Sequence, residues 1–151
     1  EIIKVRSNAV LLLIGSGEEE DKVKDLAVEL GIQNKVFFLG NREDIPELLN
    51  CMDVFFFPSL YEGLGIVLLE AQASGCFCVA SDGVAHEADV GVGDVMFIPL
   101  KEDACQWKME ILDKYSGWTR PSNELIMTKF IESGFEIEEA HRMLLEVYND
   151  R

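Results

Sequence analysis

Five short apolar runs, separated by helical patterns and glycine turns, constrain this chain more than any other feature. They are Val10 to Ile14, Lys35 to Leu39, Val54 to Phe57, Phe77 to Ala80 and Val95 to Ile98. Runs this short and continuous, joined by helices, suit strands of a parallel sheet buried on both faces, because each crossover lays a helix over one face. The expected fold is α/β: a Rossmann-like, doubly wound parallel sheet followed by C-terminal helices.

The first run ends at Gly15-Ser16-Gly17, after which Val23, Leu26, Ala27 and Leu30 mark a helix that Gly31 closes. Gly40-Asn41 closes the second run, and Asp44, Pro46 and Leu48-Leu49 predict a short helix with proline in its first turn. The third run leads through Pro58 and Ser59 into a helix stopped by Gly75. Beyond Pro99 helices are expected over Asp103 to Tyr115, Pro121 to Glu132 and Glu136 to Tyr148, broken at Gly117 and Gly134. In the last of these, Ile137, Ala140, His141, Leu144 and Val147 share one stripe. Glu1 to Arg6 reads as the final turn of a helix, and the chain opens without methionine, so an excised piece of a longer polypeptide is expected.

With 151 residues, 48% of them hydrophobic, the chain can bury one sizeable core, and a single domain over residues 1–151 is expected. A net charge of -15 argues against nucleic acid and anionic membranes as partners, since both require clustered Lys and Arg. Any phosphate ligand must be held locally. The four cysteines lack CxxC spacing and neighbouring histidines, which suits buried free thiols in a reducing cytoplasm better than a disulfide framework or zinc site. No charged-then-apolar leader and no apolar run of 18 residues is present, so neither a signal peptide nor a transmembrane segment is expected.

The chemistry concentrates between Pro58 and Gly75, PSLYEGLGIVLLEAQASG. Glu62 lies in the loop and Glu70 in the helix. At about 100° per residue, Glu70 and Gln72 point roughly 160° apart. With Gln72 in water, Glu70 lies among Ile66, Val67, Ala73 and Ser74, where an ionised carboxylate needs a polar partner. Ligands of open α/β sheets gather beyond the carboxyl ends of the strands, where this chain places Gly15-Ser16-Gly17, Gly40-Asn41-Arg42 and Tyr61 to Gly65. Gly63 and Gly65 admit close backbone approach, and the helix start after them favours an anion such as a diphosphate. A carboxylate at Glu70 accepts hydrogen bonds only, which suits paired hydroxyls such as a ribose diol. Glu62, beside the anion position, suits a sugar hydroxyl.

Glu62, seven intervening residues and Glu70, set in that segment, resemble the E-x7-E signature of retaining GT-B glycosyltransferases, most closely the family 4 group. The likeness extends through VLLLIGSGEE, KVFFLGNREDIPELL, DVFFFPS and CFCVASDGV in the expected order, over roughly two-thirds of the chain. The resemblance implies the C-terminal, donor-binding half of a GT-B enzyme that takes a nucleoside diphosphate sugar as substrate, with no metal or other cofactor. It implies Glu62 as the catalytic candidate, near the donor sugar. Backbone N–H groups of Gly63, Leu64 and Gly65 would hold diphosphate and sugar, and Glu70 the ribose. Gly15 and Ser16 would contact the donor, while Asn41 and Arg42 would border the base. SDGVAHEADVGVGDVMFIPL resembles capsular and exopolysaccharide-assembly members, with His86-Glu87 in place of a glycine-proline-glutamate pattern.

The family's C-terminal domain usually opens with a strand followed by an Arg and a Lys that neutralise the leaving diphosphate, and neither precedes Val10. Weak donor binding and no unaided transfer are therefore expected. The glycan or lipid-linked glycan acceptor would be held by an N-terminal domain missing from this chain. The resemblance implies a cytoplasmic enzyme, peripheral to the inner face of the membrane in its longer form. Plainer roles compete at several positions: a tight turn for Gly15 to Gly17, a surface helix start for Arg42, a loop pair for His86-Glu87, and core packing for Trp107, Trp118 and Phe55 to Phe57. A nucleotide-sugar epimerase and a non-catalytic nucleotide-binding or assembly module are the rival functions.

Overall fold

The computed structural model describes residues 1–93 and 95–135. The chain divides into two compact units, Glu1–Ile45 and Pro46–Arg151. The predicted helix over Glu136 to Tyr148 lies outside the described residues.

The first unit runs α1 (Ile2–Val5), β1 (Leu11–Ile14), α2 (Glu20–Glu29), a 3₁₀ turn at Gln33–Lys35 and β2 (Val36–Gly40). β1 and β2 pair in parallel, Leu11 opposite Val36, with a shift that brings Ile14 opposite Gly40. Glu20 and Asp21 occupy the first turn of α2, where the helix dipole favours negative charge. The expectation of strands buried on both faces fails here. Only Ala27 and Val36 of this unit are buried, while Val23, Leu26, Val28 and Leu30 along α2 are exposed. Within the unit, one ten-residue helix and one four-residue helix accompany the two strands, too little to cover both faces of a sheet.

In the second unit, α3 (Ile45–Cys51) precedes β3 (Val54–Phe57), α4 (Ile66–Ala73), β4 (Phe77–Ser81), β5 (Met96–Ile98), α5 (Ala104–Ser116) and α6 (Asn123–Glu132). The three strands lie in the order β3-β4-β5, and both pairings are parallel. The α/β class with parallel strands is thus as expected, its hydrogen bonding divided into a two-stranded and a three-stranded sheet. β4, paired on both edges, is buried along its whole length. Leu69, Val90, Val92 and Ile126 form a cluster against which Phe130 packs, and Trp107 meets Phe56 edge-on at 5.2 Å.

Helix ends follow local chemistry. Asp103 Oδ1 accepts from the N–H groups of Cys105 and Gln106 at 2.8 and 2.9 Å, capping α5. Ser122 accepts from the Leu125 N–H at 3.3 Å, so α6 starts two residues later than the Pro121 expected from sequence. Gly31, Gly75 and Gly134 end α2, α4 and α6 with φ of 66°, 69° and 74°. The cysteines are free, but only Cys76 and Cys78 are buried; Cys51 and Cys105 sit at exposed helix ends, which corrects the expectation of four buried thiols. Burial raises the Cys76 thiol above its ordinary range and pushes the Cys78 thiol well above it. No described helix is long and apolar enough to cross a membrane.

Candidate functional site

The loop between β3 and α4 is pinned at several points. Ser81 Oγ donates to the Ser59 carbonyl, and the Glu62 N–H donates to the Gly83 carbonyl at 3.2 Å. Ser59 Oγ lies 3.1 Å from Glu62 Oε1 and 3.2 Å from the Tyr61 carbonyl, so one hydroxyl proton is shared between them. One oxygen of Glu62 is thereby oriented. Gly83 has no alternative residue, because a Cβ there would strike the Leu60 carbonyl and lie 2.8 Å from the Ser59 oxygen. The two loops that leave β3 and β4 are therefore in backbone contact.

Gly65 begins α4 in left-handed backbone, φ 68°, with Val84 Cγ1 3.4 Å from where a Cβ would stand. No side chain caps this helix; the Leu68 N–H donates to the Gly65 carbonyl at 2.8 Å, which leaves the N–H groups of Ile66 and Val67 as those an anionic ligand could take. Gly63 and Leu64 are exposed immediately before it. Tyr61 is 84% and Ile66 67% exposed, so exposed apolar residues flank Glu62 along the chain.

Of the two orientations the sequence leaves open for α4, the structure takes the one with Gln72 inside. Glu70 is exposed and shares its face with Ile66 and Ala73, whereas Gln72 is completely buried. Its Nε2 donates to the Ala88 carbonyl at 2.7 Å and to the Leu68 carbonyl at 3.2 Å, and its Oε1 accepts from the Val90 N–H at 3.0 Å. The physical reason is the relative cost of burial. A neutral amide with three hydrogen bonds is tolerated in the interior, while an ionised carboxylate is not unless paired. Glu70 consequently keeps its carboxylate available to a ligand in solution.

The other sequence-identified residues belong to the first unit. The Gly15 N–H donates to the Gly40 carbonyl at 2.8 Å, and Ser16 Oγ donates to Asn41 Oδ1 at 3.2 Å. The ends of β1 and β2 thus bring Ser16 and Asn41 together. Arg42 is engaged by Asp44 through two bonds of 2.7 and 2.6 Å. That pair's hydrogen bond holds the Asp44 carboxyl below its ordinary range and raises Arg42.

Three contributors escaped sequence reasoning. Gln72 was visible as the lone amide in an apolar helix, but not its direction. Gly83 left no signal, since its role depends on the passing Leu60 backbone. Arg120 donates to the Ser74 carbonyl at 2.7 Å and to the Met52 carbonyl, so a residue far along the chain caps the carboxyl end of α4. His86 lies in an exposed 3₁₀ turn, His86–Ala88, with its ring stacked on Phe97 at 4.0 Å.

The family model described as Glycosyl transferases group 1 matches residues 1–93. EpsF of Bacillus subtilis (strain 168), a glycosyltransferase by its name, is 37% identical over 139 residues, which cover 92% of this chain and 36% of EpsF. The solved structure of WaaG, a glycosyltransferase involved in lipopolysaccharide biosynthesis, superposes with a TM-score of 0.60 at 27% identity, covering 86% of this chain and 34% of WaaG. HepE of Anabaena, solved in complex with UDP, shares the fold with a TM-score of 0.70 at 22% identity, covering 99% of this chain and 44% of HepE. The chain spans a little over a third of the length of EpsF. It belongs to the glycosyl transferases group 1 family and has the α/β fold of GT-B enzymes.

Proposed function

We propose that this chain is the donor-binding part of a retaining glycosyltransferase that moves a hexosyl group from a nucleoside diphosphate sugar to a hydroxyl of a glycan or lipid-linked glycan. The observation that carries the reading is the loop Ser59 to Gly65. It holds Glu62, oriented by Ser59, directly before an uncapped helix start, while the same helix presents Glu70 to solvent. Diphosphate oxygens would accept from the N–H groups of Ile66 and Val67 at the start of α4, with Gly63, Leu64 and Gly65 as the adjoining backbone. Glu62 would accept from donor sugar hydroxyls and Glu70 from the ribose diol. Gly15 and Ser16, with Asn41 and Arg42, are candidates for the nucleoside side.

In the reaction the bond from the anomeric carbon to the diphosphate oxygen breaks and a bond to the acceptor oxygen forms on the same face. The acceptor's proton leaves on the departing diphosphate, so the chain need supply no nucleophile. Charge stabilisation would come from helix N–H groups and from cationic side chains beyond this chain, without a metal. A surplus of acids, with a net charge of -15, opposes anion binding by this segment alone. The reading therefore has the segment as one part of a two-domain enzyme, inactive by itself, working in the cytoplasm against the inner membrane face. The likeness to WaaG, a glycosyltransferase involved in lipopolysaccharide biosynthesis, supports a polysaccharide-type product.

Calorimetric titration of the intact protein with a panel of nucleoside diphosphates and their sugars tests the proposal. One base should bind, and Glu70→Ala should weaken it about tenfold or more, the worth of a charge-assisted hydrogen-bond pair. Absence of binding across the panel, or transfer that survives a Glu62→Ala, Glu70→Ala double substitution, overturns it.

A further inference from the structure

We propose that Gln72 is a positioning residue for the donor site. It couples the helix bearing Glu70 to the loop after β4, so that a ligand meets residues 62–65 and 83–90 as one preformed wall. The inference rests on the donor-site reading above.

Gln72 and Ser81 are the buried polar side chains among the described residues. Neither is bonded only within its own element. Ser81 holds the carbonyl of Ser59 in the Glu62 loop, and Gln72 holds both the Ala88 carbonyl and the Val90 N–H. A buried amide is costly to leave unpaired. Two of its three bonds go to backbone groups that sit 16 and 18 residues further along the chain. The first belongs to the last residue of the 3₁₀ turn that carries His86 and Glu87, and the second lies two residues beyond it.

The loop is anchored at both ends. At its start, Gly83 is pressed against the Leu60 backbone and accepts from the Glu62 N–H. At its end, Gln72 grips Ala88 and Val90, and the Val90 and Val92 side chains pack with Leu69 and Ile126. Between the anchors His86 and Glu87 are exposed. Because Gln72 and Glu70 leave opposite sides of one helix, the buried member fixes the helix against the loop while the exposed member serves the ligand. Moving the loop relative to α4 would carry Gly83 and the Glu62 backbone bonded to it, and so change the distance between Glu62 and Glu70. Misplacement of that order costs binding and rate without any lost ligand contact.

The test uses the full-length protein with Gln72→Met, which keeps volume and loses all three bonds, and Gln72→Glu, which keeps an acceptor for the Val90 N–H. Val92→Ala serves as a packing control that leaves the amide in place. Hydrogen exchange of peptides covering 86–90 and affinity for the nucleoside diphosphate sugar that binds the wild type are the readouts. Gln72→Met should speed exchange in 86–90 about tenfold and weaken donor binding by about the same factor while β4 stays protected, and Gln72→Glu should fall between it and the wild type. Unchanged protection of 86–90, or a loosened loop with undiminished affinity, overturns the role. So does a loss of affinity in Val92→Ala that matches its stability loss as closely as that of Gln72→Met. If the wild type binds no donor, the donor-site reading itself falls and takes the positioning role with it, and exchange then reports only on the structural clamp.

Discussion

The two units answer the same sequence signal differently. β2 and β4 are both five-residue apolar strands following a helix, yet β4 is buried at every position and β2 only at Val36. β4 has a strand on each edge and α4 within its unit, whereas β2 pairs with β1 alone. An apolar run therefore specifies a strand without specifying how much water it loses. Burial depends on how many neighbours the rest of the chain delivers to its two faces and two edges. The consequence extends to the helices, since Leu68 of α4 is fully buried while Leu26 of α2 is 50% exposed.

Paired core substitutions give the most severe test of that contrast. Leu68→Ala should cost about 2 to 5 kcal/mol in urea unfolding, and Leu26→Ala about 0.5 kcal/mol or less. Equal losses would mean that the first unit contributes as much packing as the second. Amide exchange probes the same difference without substitution: β4 should exchange about a hundredfold more slowly than β2, reporting near-global opening in one and local opening in the other. Similar protection would erase the distinction.

The smallest effect lies in the first unit's exposed ion pair. Asp44 titrates below the ordinary carboxylate range because Arg42 hydrogen-bonds it. Its contribution to stability is present above the unfolded carboxyl's pKa and is lost as pH falls through the lowered folded value. Carboxyl NMR should show Asp44 returning toward the ordinary range in Arg42→Ala. The change in unfolding free energy should be barely measurable, as expected of a solvated pair.

Where the candidate residues fall on strands, loops and helix was largely legible in the sequence. The Glu62 and Glu70 spacing, the glycines around Leu64 and the strand ends at Gly15 and Gly40 all appear where the pattern puts them. What the pattern could not supply is the rotation of α4. Ile66, Val67, Leu68, Leu69, Ala71 and Ala73 surround the helix with apolar groups, so no stripe marks its inner face. The choice between Glu70 and Gln72 was left open by periodicity. It was made by the backbone groups of Ala88 and Val90, which demand an amide's donor and acceptor together.

By itself the sequence determined the order of strands and helices, the stop at Gly75, and the family. Each of these depends on local chemistry or on residues adjacent in the chain. Tertiary structure alone decided which carboxylate stays in solvent, which amide is buried, and how Ser81 and Gly83 hold the loop after β3 and Arg120 the carboxyl end of α4. Those outcomes depend on hydrogen-bond partners many positions away, and a partner's position in space is not encoded in the periodicity of the segment that meets it.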